Sequence, residues 1–286
     1  MATRTDPTST GHHLSDASYI DLHFEVNRPE YTAIVNRAGF EPGWHVLDAG
    51  CGTGSFLPLI AEIVGPDGEI TAIDLAPENV EIAAARLNTW NLPCAASIQE
   101  ASIFSLPFGD DSLDAIWCAN VTQYLTEDEL VQAIAEFRRV TRPGGLVAIK
   151  DVLSAHVTVE PAPAGIIHAS VDEEARQGGI HAQGAIRTWN LTRFLERAGL
   201  ESVTQKAAVV ERRAPLNHQT YDLYAAYFKF MGHESLQLSL SDEFQEFWEK
   251  QLDPHSSEAV VNHPDFYFVE GQTLAIARVP EEKEDS

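Results

Sequence analysis

Lysine is nearly missing from this chain. The 19 lysines and arginines, only five of them lysines, stand against 43 aspartates and glutamates, leaving a formal net charge of −24 at pH 7. A field of that sign repels phosphate backbones and anionic lipid, so neither nucleic acid nor a membrane surface is an expected partner. An acidic surface that keeps the protein dissolved accounts for the charge as well as steering of a cationic substrate does. Cysteine is also scarce. Cys51, Cys94 and Cys118 are isolated in apolar or glycine-rich contexts, which argues against a disulfide framework or a zinc cluster and suggests small core residues, with Cys51 in a ligand loop. No apolar run nears the length of a membrane span. The opening Met1-Ala2-Thr3-Arg4-Thr5-Asp6 lacks the basic and apolar regions of a signal peptide. A soluble, cytoplasmic protein is expected.

What is present is an alternation of short apolar runs and amphipathic stretches in a chain of 286 residues, 44% hydrophobic, enough for one elaborated α/β domain. Residues 1–17 have no periodicity and read as a flexible tail. Residues 18–43 read as a helical cover of one or two helices, with Pro29 near a helix start and a stop at Gly39. Strands follow at Val46 to Asp48, Glu69 to Asp74, Ala96 to Ala101, Ala115 to Cys118 and Leu146 to Asp151. Helices lie between them, one opened by Pro77 and one by a Thr126/Glu129 capping box. This pattern implies a parallel sheet with helices on both faces. It lapses over 152–187, where one short helix is expected at Asp172 to Arg176, and resumes with a helix capped by Asn190. Strands near Val203 to Val210 and Thr273 to Arg278 close the domain at about residue 280. Between them, residues 211–270 are far longer than a hairpin needs and carry aromatic stripes at Tyr221, Tyr224, Tyr227, Phe228, Phe244, Phe247 and Trp248. Helix-packing core, a substrate lid and a homodimer seam are all open to that insertion, and to 152–187 as a substrate-side segment. Residues 281–286 form an acidic tail.

The chain is organised around Val46-Leu47-Asp48-Ala49-Gly50-Cys51-Gly52-Thr53-Gly54, an apolar strand that breaks through three alternate glycines into a helix. Glycine has no side chain to hold a ligand away from the backbone. The third glycine of a dinucleotide fingerprint would fall at Ser55 but comes one residue early. Asp48 would repel a pyrophosphate and attract a sulfonium or ammonium group. Asp74, about twenty residues on, ends the second strand where a carboxylate can accept hydrogen bonds from both ribose hydroxyls.

This loop resembles motif I of the class I S-adenosylmethionine-dependent methyltransferases. The resemblance extends over residues 44 to about 151, closest to the ubiquinone/menaquinone-biosynthesis type and its small-molecule relatives. Ser102-Ile103-Phe104-Ser105-Leu106-Pro107-Phe108 and Asp111-Ser112-Leu113-Asp114-Ala115 are similar to the adenine-side segment, with Ser102 where the family usually has an Asp. Arg142-Pro143-Gly144-Gly145 is similar to the turn before strand five. The resemblance implies a Rossmann-like seven-stranded, mostly parallel sheet with an N-terminal helical cover and a helical insertion before the last strand. It implies S-adenosylmethionine as cofactor, held by Asp48, Gly50, Gly52, Gly54, Asp74, Leu75, Ser102, Ile103, Asn120 and Gln123.

The implied activity is methyl transfer to O, N or C of a small apolar or aromatic molecule of secondary metabolism. A protein that binds the cofactor for cyclase or regulatory work is the alternative, and a nicotinamide-dependent reductase a third reading. If the acceptor must lose a proton, histidine is the natural base. His23 with Tyr19 on the helical cover, and Tyr124 after strand four, are the candidate catalytic residues, while His156, His168 and His181 belong to the irregular stretch after strand five. Asn120-Val121-Thr122-Gln123 is not the Asn/Asp-Pro-Pro-Tyr/Phe signature of nucleic-acid amino methyltransferases. Strand four ends at Asn120 and only Asp151 closes strand five, so the paired acids of metal-dependent catechol methyltransferases are missing and no metal is expected.

Overall fold

Seven strands pair in the order β3-β2-β1-β4-β5-β7-β6 in the computed structural model, which describes residues 16–281. They are β1 (His45–Ala49), β2 (Glu69–Asp74), β3 (Ala95–Glu100), β4 (Leu113–Ala119), β5 (Thr141–Glu160), β6 (Glu201–Arg213) and β7 (Tyr267–Arg278). The first five run parallel, and β7 is antiparallel to both β5 and β6. Most of both tails expected from the sequence, with His12 and His13, lies outside the described residues.

Helices cover both faces because successive strand residues point to opposite sides. Val46 packs into one core with Ile70, Trp117 and helices α1 (Ala17–Val35) and α2 (Leu57–Val64). Leu47 packs into the other with Ile116, Ile149 and helices α4 (Glu127–Val140) and α7 (Leu191–Arg197). Helix α3 (Pro77–Leu87), whose Leu87 packs against the first of these cores, starts with proline at its first turn. Thr126 and Glu129 form the capping box of α4.

The departures from the sequence reading lie outside this frame. Pro29 is inside α1, a single helix that begins at Ala17 under an Asp16 cap. The strand expected to stop at Asp151 continues to Glu160, because after a bulge between Leu153 and Val157 it pairs with β7 from Val157↔Glu270 to Glu160↔Tyr267. Instead of one short helix over 172–176, the structure has α5 (Ile166–Arg176) and α6 (Ile180–Arg187). Neither has a side-chain cap, so the usual start signal is missing, and burial of Ile166, Ile167, Ala182 and Ala185 holds them. Asn190 stands at the N-cap position of α7, where it also closes a 3₁₀ turn, but its side chain makes no cap bond.

The long segment between β6 and β7 forms α8 (His218–Ser235) and α9 (Asp242–Gln251), capped by Asn217 and Ser241. Their inner faces build a third core of Tyr224, Phe228 and Trp248 against Phe266 and Phe268 of the β7 region and Val159 of β5. The extensions of β5 and β7 beyond the main sheet thus support the insertion, which packs on its own chain and adjoins α1.

Candidate active site

Strand order reverses between β1 and β4, and in an open parallel sheet the crevice at such a reversal is where ligands bind. A cavity of about 490 Å³ runs there, well within the range of small-molecule pockets. Its first half is backed by the glycine loop. Gly50 and Gly52 line it, with φ of +80° and +55°, where a side chain is strained. A Cβ on Gly50 would lie 2.4 Å from Val121 Cγ2, and one on Gly52 would meet Ile20 of α1 at 3.5 Å.

Two members of the expected set do other work. Gly54 is not on the cavity wall; a Cβ there would sit 3.1 Å from Leu57 Cδ1 and 3.3 Å from Ala83 Cβ, so it lets α2 and α3 close together. Asp48 is buried behind the loop, also off the wall, and its Oδ2 has no hydrogen-bond partner. Burial, and then the neighbouring Asp74, raise its pKa to about 8. It is therefore mostly neutral at pH 7 and is not the exposed negative charge that its sequence position suggested.

Asp74 does reach the cavity. Its Oδ2 accepts from Gly52 N at 2.7 Å and its Oδ1 from Ala76 N at 2.9 Å, so the loop backbone sets the carboxylate's direction. Burial raises its pKa against those bonds. Leu75, 58% exposed, is an apolar rim, and Ser102 and Ile103 line the wall beside it. Ser102 Oγ accepts from Phe104 N at 3.2 Å, bracing its own turn. Asn79, missed from the sequence, also lines this half, and its buried Oδ1 has no partner.

Helix α1 roofs the loop. Thr53 Oγ1 donates to Asp21 at 2.7 Å, and Arg86 of α3 is ion-paired with the same carboxylate. At the other end Arg212 of β6 pairs with Glu30 at 2.7 Å and donates to Val26 O. The helix presents Tyr19, His23 and Tyr31 to the cavity. His23 stacks on Tyr19 at 5.8 Å, and its Nδ1 is 3.2 Å from the Tyr31 hydroxyl. Burial, with the charge of Lys150, lowers His23 to about 3. So depressed an imidazole is a weak proton acceptor, which removes the main reason for expecting a base there. Tyr124 lines the wall and stacks on His181 at 4.9 Å, and burial raises its pKa above the usual phenol value. His156 and His168 are exposed and off the wall, His168 beside Asp172 at 3.3 Å.

The second half of the cavity lies toward β5, β7 and α8. Asn120 and Gln123 stand at the passage. Asn120 has φ of +60°, a conformation asparagine tolerates better than most residues, and its Oδ1 accepts from Lys150 Nζ at 2.5 Å. Lys150 is fully buried, 4.1 Å from the Tyr31 ring centroid, and burial lowers its pKa. Beyond it, Glu270 of β7 faces the chamber among Tyr19, Tyr224, Tyr227 and Phe268. Burial raises its pKa to about 7. Lys150 and Glu270 escaped sequence reasoning, although each interrupts an apolar or aromatic strand run with charge, and such a charge is rarely buried without a partner or a purpose.

Of the aromatics singled out in the insertion, Tyr224 and Tyr227 line the chamber. Tyr221 donates to Pro254 O at 2.9 Å, and Trp248 is core, its Nε1 donating to Ser170 Oγ at 3.0 Å. Asp151 is also structural, accepting from Thr122 Oγ1 at 2.5 Å and Gln123 N at 3.2 Å. Among the described residues no lysine or arginine lines the cavity. A pyrophosphate would find no cation there, whereas an adenosyl group fits between Asp74 and the apolar Leu75 and Ile103.

Residues 46–145 match a sequence family described as a methyltransferase domain. Methyltransferase GfsG of Streptomyces halstedii is 24% identical over 221 residues, 77% of this chain and 75% of that protein. O-methyltransferase cnsE of Penicillium expansum is 32% identical over 114 residues, 40% of each. For most of the curated relatives it matches, the chain spans about half of their length or less. A SAM-dependent methyltransferase from Aquifex aeolicus shares the fold, with a TM-score of 0.52 and 24% identity over 70% of this chain and 92% of that one.

Proposed function

We propose that the chain is a class I S-adenosylmethionine-dependent methyltransferase that acts on O, N or C of a small, apolar or aromatic molecule of the natural-product type. The observation that carries this reading is one continuous cavity with a glycine-backed polar half and an aromatic half under α8. When bound, S-adenosylmethionine supplies a methyl group made electrophilic by its sulfonium.

The chain's own residues hold and orient. Gly50 and Gly52 would offer bare backbone, Asp74 would accept from the ribose hydroxyls, Leu75 and Ile103 would cover the adenine with Ser102 at its edge, and Asn120 and Gln123 would meet the amino-acid end. Tyr19, Tyr124 and His23 provide polar contacts at the passage between the halves. Holding an acceptor in line at about 3 Å can supply several kcal/mol of the barrier, so no covalent help from a side chain is needed. The α1 roof and the apolar walls exclude water, which would compete for the methyl group. The name of the Penicillium relative supports oxygen among the acceptor atoms.

The test is incubation of the purified chain with methyl-labelled S-adenosylmethionine and a panel of apolar phenols, amines and activated carbon acids. Release of S-adenosylhomocysteine with a labelled product is the expected result. Calorimetry showing no uptake of either form of the cofactor, while a nicotinamide nucleotide bound, would overturn it.

A further inference from the structure

The aromatic half of the cavity carries one more message, in the sign of its charges. Glu174 of α5, Glu234 of α8 and Glu270 of β7 line it, and among the described residues no lysine or arginine does. Glu270 is more than nine-tenths buried, with one oxygen held by Gln272 Nε2 at 2.5 Å. It faces the rings of Tyr19, Tyr224 and Tyr227, while Lys150 and Arg212 are the cations near enough to act on it.

A second, independent observation points to a ligand at the same place. The β5 bulge falls between the pairs Leu153↔Gly271 and Val157↔Glu270, so Ser154 lies in the bulge, between the rung of Gly271 and that of Glu270. Ser154 is 7% exposed, lines the cavity, and its Oγ has no hydrogen-bond partner. A buried hydroxyl left unpaired in the same chamber as a buried carboxylate leaves two oxygens that an incoming donor can satisfy.

The cofactor's own ammonium is not that donor. A cofactor seated on Gly50, Gly52 and Asp74 with its amino-acid end at Asn120 reaches no farther than β4, and two strand spacings separate β4 from β7, roughly 10 Å. Resting on the methyltransferase reading above, we infer that the acceptor is a protonated amine on an apolar body, its ammonium hydrogens taken by Glu270 and Ser154. Tyr19, Tyr224 and Tyr227 add attraction through their ring faces. The chamber rejects carboxylates and phosphates, which would meet three glutamates and no exposed cation. Burial raises Glu270 to about 7, so an arriving ammonium favours its charged form and drives off a proton near neutrality.

The test uses the whole chain saturated with S-adenosylhomocysteine and a charge series on one body: phenethylamine, 2-phenylethanol and 3-phenylpropionate. Calorimetry is expected to give the amine at least tenfold tighter binding than the alcohol, no binding of the carboxylate, and proton release when two buffers of different ionisation enthalpy are compared. Glu270→Gln should bring the amine down to the alcohol's affinity, and Ser154→Ala should weaken the amine a few-fold, both with unchanged affinity for S-adenosylhomocysteine. Carboxylate binding as tight as amine binding, or no amine binding at millimolar concentration, overturns the inference, and both are read on the unmodified chain whether or not the variants fold. If S-adenosylhomocysteine itself does not bind, the methyltransferase reading fails separately, and the charge series on the free protein still decides the amine site.

Discussion

Arg86 and Asp21, on α3 and α1, are joined by a guanidinium laid against a carboxylate, with Arg86 Nη1 2.8 Å from Oδ1 and 3.1 Å from the carbonyl of Thr53 in the glycine loop. Burial pushes Asp21 up, but the bonds from Arg86 and Thr53 hold it below the usual carboxylate range. The pair therefore fastens the cavity roof to the loop beneath it. Both side chains are about a third exposed, so its worth to overall stability is about 1 kcal/mol or less. Asp21→Asn is expected to lower Tm by no more than about 2–4 °C while weakening S-adenosylhomocysteine three- to tenfold through faster dissociation. Stopped-flow release and a melting curve check both halves of that expectation, and an unchanged off-rate would show that the roof does not gate the site.

The glycines of the loop are expected to separate by readout. Gly50→Ala places a methyl 2.4 Å from Val121 Cγ2 at a φ of +80°, and cofactor affinity should fall at least tenfold. Adding Val121→Ala makes room but leaves the backbone strain, about 1–2 kcal/mol, so recovery should be partial. Gly54→Ala meets Leu57 and Ala83 instead and should cost stability with a smaller change in affinity. Calorimetry alongside urea unfolding distinguishes these outcomes.

Asp48 makes stability depend on pH in a definite direction. Its folded pKa of about 8 lies above the unfolded value of about 3.9. Between the two, the folded protein keeps a proton that the unfolded chain has lost. The stabilisation is thus full below the unfolded value and is lost as pH rises through the folded one. Asp48→Asn cannot titrate, so its melting temperature relative to the parent should climb from pH 5 to about pH 8 and level off above it. A difference that stays flat across that range would remove Asp48 as the source.

Two aromatics of the insertion should part in the same way. Trp248→Phe leaves the buried Ser170 hydroxyl without the indole that now donates to it at 3.0 Å. The expected loss is about 1–3 kcal/mol in urea unfolding, with ligand binding intact. Tyr227→Ala opens the chamber wall and should weaken acceptor binding about tenfold without moving S-adenosylhomocysteine affinity. Equal effects of both substitutions on acceptor binding would mean that the insertion acts as one lid.

Much of the sheet was legible because its signals are local. Val46 to Asp48 is an apolar run that meets glycine, Glu69 to Asp74 one that meets proline, and period and punctuation are enough to find such strands. The elements misread, α5, α6 and the outer part of β5, lack caps or lie next to a bulge, and distant partners hold them. The chamber is harder still. Glu270 follows Phe266, Tyr267, Phe268 and Val269 in sequence, and nothing in that string says it faces Tyr19 from the other end of the chain.

The sequence by itself determined the strand-glycine-helix loop, the acid at the end of β2 and the Rossmann-like frame around them, since each depends on residues within a few positions of one another. Only the tertiary structure decided that Asp48 is buried and neutral, that Gly54 serves packing, and that Ser154, Glu270 and three tyrosines share one chamber. Charge state and cavity membership are set by what folds on top of a residue, and here the covers, α1 and α8, come from the two ends of the chain.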